Sequence, residues 1–139
     1  MRRLPQRILV PMLFAAAAAW GCGSDTTTPP LTPTPAPTTE QFSGDLNRNN
    51  ATTHPFTVTG TGSVTATLTT VAPDSTIAIG MALGTWNGTS CQVIIANDRA
   101  IQGITVTGAT SGVGALCLRM YDIGQLTDTA SYTVTVVHP

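Results

Sequence analysis

Lysine is absent from this 139-residue chain, glutamate occurs once, histidine twice, and Phe, Trp and Tyr together make up only 5% of it. Without clustered positive charge a protein cannot displace counterions from phosphate, so nucleic-acid binding is excluded as an expectation. His54 precedes Pro55, and His138 is the penultimate residue. Neither belongs to H-E-x-x-H or lies beside a G-x-S-x-G nucleophile turn. Glu40 being the sole glutamate, a glycosidase carboxylate pair would have to be built from aspartates. "TGTGSVT" and "GVGALC" fall short of a phosphate-cradling G-x-G-x-x-G, and no D-x-D-x-D-G calcium loop occurs. The expectation is a protein with no catalytic residues, no cofactor and no metal. Long apolar runs are missing too: the longest, residues 8–20, "ILVPMLFAAAAAW", is interrupted by Pro11 and is too short for a spanning helix.

What the N-terminus does contain is three arginines in "MRRLPQR", followed by that apolar run and then Gly21-Cys22. A positive segment leading into a short apolar one reads as an export signal. Ala19-Trp20-Gly21-Cys22 resembles the lipobox of bacterial lipoprotein signal peptides, with Gly21 and Cys22 matching it and Ala19 and Trp20 departing from the commonest residues. The resemblance implies removal of residues 1–21 and acylation of Cys22, which would anchor the chain to a membrane of an exported bacterial cell envelope. Each buried methylene contributes about 0.8 kcal/mol, so two or three acyl chains hold stably where one does not.

Residues 22–40 form a linker in which Pro29, Pro30, Pro33, Pro35 and Pro37 alternate with threonine. Such a segment extends at about 3.1 Å per residue and can hold the remainder of the chain roughly 50 Å from the lipid. Residues 41–139 then suffice for one domain. Without the signal, three arginines face seven acids, a net charge near −4.

Within that domain, apolar and polar residues alternate. Val64, Ala66 and Leu68 are separated by threonines, as are Phe56 and Val58, Ile104 and Val106, and Tyr132, Val134 and Val136. A two-residue period is that of a half-buried strand, with the threonines outward. Residues 75–86 place Ile77, Ile79, Met81 and Leu83 on one face and Ala78, Gly80, Ala82 and Gly84 on the other, which implies a close approach to the second face. Asn87-Gly88 reads as a two-residue hairpin turn with positive φ at both central positions, leading into "SCQVIIA". Further strands near 41–47 and 113–122 bring the count to about eight antiparallel strands, and the expected fold is all-β, a jelly-roll-like β-sandwich.

With Cys22 acylated, Cys91 and Cys117 are the remaining thiols in an oxidising compartment, and a disulfide between them is expected. Trp86, beside the Asn87-Gly88 turn, is the candidate ligand contact. Its ring either stands at the rim or folds inward against Gly84 and Gly88.

The C-terminal stretch "GALCLRMYDIGQLTDTASYTVTVVHP" is similar to the end of bacterial pre-peptidase C-terminal domains through Cys117, Arg119, Tyr121, Asp122, Gly124, Ser131, Tyr132, Val134 and Val136. "FSGDL" at 42–46 and "FTVTGTGSVTATLT" at 56–69 resemble the opening strands of that family. The resemblance implies a sandwich of about eight strands serving as an accessory module. Function is therefore expected to lie in a non-catalytic interaction or assembly module, with a carbohydrate-binding module as the alternative. Its partners are a membrane through the lipid anchor and a protein or glycan, self-association through a sheet edge being a further route.

Overall fold

A computed structural model describes residues 36–139. The expected export signal, Cys22 and the linker as far as residue 35 lie outside the described residues. Six strands form: β1 (Thr38–Leu46), β2 (Ala51–Ala72), β3 (Ile79–Trp86), β4 (Cys91–Ala100), β5 (Thr105–Tyr121) and β6 (Ala130–His138). All pair antiparallel in the order β1-β6-β2-β5-β3-β4.

The alternating segments are strands, but there are six rather than eight. Residues 56–59 and 62–71 are parts of one strand, β2, and 104–107 and 113–122 fall largely within β5. The glycines between them do not interrupt pairing, since Gly60 lies opposite Gly112 and Val58 opposite Gly114 in an unbroken register from Ala51↔Tyr121 to Thr67↔Thr105. Glycine inside a strand marks a bend or a close approach as often as a break. Strand β1 also begins earlier than the expected domain start, so Glu40 pairs within the sheet instead of belonging to the linker.

A bend in β2 is required by its contacts. Val71 is registered with Tyr132 of β6, yet the Tyr132 hydroxyl is 2.8 Å from Nε2 of His54, seventeen residues back along the same strand. A straight strand rising about 3.3 Å per residue would separate those positions by roughly 56 Å. The turn-over falls near residues 59–63, where the Thr59 N–H donates to the Pro139 oxygen (3.0 Å) and the ring of Pro139 closes over Gly62. The sheet therefore folds into two layers. The first consists of β1, β6, the second half of β2 and the first half of β5; the second consists of the remaining halves with β3 and β4.

Inward residues of both layers meet in one core. Val64, Leu68, Val134 and Val136 come from the first layer and Phe56, Val58, Met81 and Leu118 from the second, all at most 5% exposed. Burying each such side chain contributes about 1.5–3 kcal/mol. Intervening threonines such as Thr57, Thr59, Thr105 and Thr107 are exposed. Both tyrosines cover cross-strand glycines, Tyr132 over Gly44 and Tyr121 over Gly80, so an aromatic ring fills the space a missing Cβ leaves on the sheet. That is the close approach the small residues of 78–84 imply. Residues 36–139 hold the six described strands, the core they share and the Cys91–Cys117 bond, which is what a domain needs to fold alone.

Candidate functional site

Cys91 and Cys117 are joined, with an S–S distance of 2.09 Å and a Cα–Cα distance of 5.7 Å. Strands β4 and β5 lie on opposite sides of β3, where two flanking strands in a flat sheet would stand about 9.6 Å apart. Strand β4 reaches β5 by leaving the sheet plane. Its register with β3 slips from Leu83↔Ile95 to Gly84↔Val93, and the backbone of Gln92 and Val93 passes directly over Gly84. A bulge of this kind bends one strand and increases its twist.

Lifting β4 uncovers it. Gln92 through Ala96 are all exposed, with Val93, Ile94 and Ile95 at 46%, 73% and 39%. Ile94 is the extra residue of the bulge, with no partner on β3, and it is the most exposed of the three. The same stretch forms an outer edge of the sheet. At the opposite edge, β1 presents Gln41, Ser43 and Asp45 to solvent and carries Glu40 near its start. Polar and charged residues discourage an edge from pairing with another chain; from Cys91 to Asn97 β4 has none except the amides of Gln92 and Asn97. Ile94 and Ile95 also border a small apolar hollow of about 60 Å³ shared with Val64, Leu83, Gly108 and Leu116.

Trp86 is half-buried at the end of β3, registered with Cys91. Gly84 gives it no resting place, because the β4 backbone occupies that space. The turn beyond it also differs from the expected two-residue form. Four residues, 87–90, connect β3 to β4, only Gly88 has positive φ (94°), and the Asn87 carboxamide oxygen accepts from the Thr89 and Ser90 N–H groups at 2.9 and 2.8 Å. An Asx-type side-chain bond closes this loop, so a second left-handed residue is not needed.

Two open polar hollows occur elsewhere, and Trp86 lines neither. One, of about 480 Å³, lies along Ser43, Asp45, Thr70 and Thr133 above the ring of Tyr132. The other, of about 600 Å³, lies between Asp98, Arg99, Tyr121 and Gln125. Burial, and then the Asp98 carboxylate that accepts its hydrogen bond, push the Tyr121 hydroxyl up to about 12, while the Arg119 guanidinium sits 5.9 Å from its ring centre. Burial opposes ionisation of Asp122, but N–H donors from Asn49, Leu126, Gln125 and Gly124 outweigh it and hold that carboxyl below its usual range. Asp122 thereby ties the β1–β2 loop to the β5–β6 loop. Among the described residues no three His, Cys, Asp or Glu side chains converge on a point where a metal could bind.

Of the two histidines, His138 is buried in the molecule and His54 is half-buried. His138 is 2% exposed beneath Phe56, with Nε2 3.0 Å from Glu40 Oε1 and Nδ1 3.2 Å from the Pro139 oxygen. His54 stacks on Phe42 at 5.1 Å between ring centres. Both rings join β1 and β6 to β2. Burial lowers the His54 pKa from its usual 6.5, so the unfolded chain takes up this proton first. Its contribution to stability is complete above about pH 6.5 and is lost as pH falls through that value toward the lower folded pKa. The wild type is expected to lose melting temperature between pH 7.5 and pH 5, and His54→Gln, which retains a partner for Tyr132, to lose less. Parallel pH profiles measured by circular dichroism would exclude this role.

No family model and no curated protein sequence matches the chain.

Proposed function

We propose that the chain is a lipid-anchored, non-catalytic module of a bacterial cell envelope whose sandwich engages a partner through the open β4 edge. The observation that carries this reading is the uncovered, charge-free Val93-Ile94-Ile95 segment on a sheet edge. Exposed aliphatic side chains there offer apolar burial, and the free main-chain groups of an edge offer hydrogen bonds, the combination used in recognition by strand addition. Arg119, Tyr121, Asp122 and Tyr132, which carry the resemblance to pre-peptidase C-terminal domains, stack, cap and cover backbone here. Such roles support reading that resemblance as one of scaffold. A carbohydrate-binding reading is less well supported, since Trp86 is half-buried beside the disulfide and outside both polar hollows.

The anchor rests on Gly21-Cys22. In an exporting bacterial host, Cys22→Ser is expected to move the protein out of the membrane fraction or leave its signal unprocessed. Mass spectrometry of the mature wild type should show an acylated Cys22 at its N-terminus; an unmodified cysteine would overturn the anchor.

A further inference from the structure

Resting on the reading of β4 as an interaction edge, we propose that its occupant is β4 of a second copy of this chain, paired antiparallel about a twofold axis near Ile94. An isologous interface requires one patch to be complementary to itself. This patch supplies both halves of such a contact. Ile94 protrudes at 73% exposure and, together with Ile95, Leu83, Gly108 and Leu116, itself borders the apolar hollow of about 60 Å³. A twofold axis carries each protruding isoleucine toward the hollow of the other copy.

Charge supports the same choice. From Cys91 to Asn97 the strand bears none, and a register with Ile94 opposite Ile94 sets Asp98 against Ser90 and Arg99 against Thr89. No like charges meet. A contact of one strand and a few aliphatic side chains is smaller than the roughly 800 Å² per partner of stable complexes, so association is expected to be reversible and concentration-dependent.

Sedimentation of residues 36–139 over a rising concentration series should show the wild type moving from the monomer mass to twice that mass. Ile94→Lys should remain monomeric with an unchanged melting temperature, since the position is exposed. Val113→Lys, at a position 79% exposed on β5, should dimerise like the wild type. A wild type that stays monomeric, or an Ile94→Lys variant that still dimerises, would overturn the proposal. In cells, a photo-crosslinking phenylalanine analogue at position 94 of the full chain should give an adduct of twice the chain mass. An adduct of any other protein mass would overturn the second copy while leaving the interaction edge standing; no adduct at all would overturn both.

Discussion

Removing both sulfurs, as Cys91→Ala with Cys117→Ala, is expected to lower the melting temperature of residues 36–139 by on the order of 15 °C or more. The bond links residues 26 apart in sequence. Closing a loop of that length removes conformations from the unfolded chain worth roughly 3.5 kcal/mol in the chain-entropy account. For a domain near 100 residues each kcal/mol corresponds to about 4–8 °C, and total stability is only about 5–15 kcal/mol. Strand β4 has few substitutes for this tie. Its central residues are exposed, so outside its ladder with β3 it contributes little to the core until Ala100, which is fully buried. Thermal unfolding should also show the wild type, but not the double variant, destabilised by reductant. A double variant melting within about 3 °C of the wild type would show that β4 is held by its ladder alone, since that shift amounts to less than 1 kcal/mol.

The strand alternation was legible because each apolar residue of 64–68, 56–58 and 132–136 points into one core, leaving threonine for solvent. Pattern of that kind is local and survives without knowing the partner strand. What could not be read depends on partners distant in sequence. Gly60 and Gly112 resemble breaks until they are seen opposite one another in a single ribbon that bends between layers. Glu40 comes after a proline and threonine segment, and only the C-terminal strand that pairs with it makes it part of the sheet. His138 gains its burial the same way, from Phe56 and Glu40. Val93-Ile94-Ile95 is a further case: a run of aliphatic residues suggests core, whereas the bulge at Gly84 lifts it out of cover. Signals for the disulfide were available, in three cysteines of which Cys22 lies in a segment resembling a lipobox and leaves Cys91 and Cys117 to pair. The edge left no signal in composition, because exposure there depends on where β4 falls in the strand order.

Gly84→Ala is expected to destabilise the domain by about 3 kcal/mol or more, beyond the usual range for an added methyl group in a packed interior. A Cβ at this position would lie 2.7 Å from the carbonyl carbon of Gln92 and 2.9 Å from the Cα of Val93, with the Gln92 oxygen closer still. Those atoms are backbone, so no rotamer change relieves the contact. Strand β4 itself would have to rise, one residue from the disulfide that draws it across β3. The substitution thus sets the crossing against the covalent bond. Either the bond forms in a strained domain, or β4 detaches and free thiols appear. Gly112→Ala is the matched control, since nothing lies within 4 Å of its added Cβ and its φ is not in the left-handed range. That change should lie within about 0.5 kcal/mol of the wild type, as surface substitutions usually do. Denaturant unfolding of the two variants, with thiol titration of each before reduction, separates the outcomes. If Gly84→Ala unfolds at the same denaturant concentration as Gly112→Ala with no titratable thiol, then β4 does not cross over β3 at this point, and the account of its exposed edge falls with it.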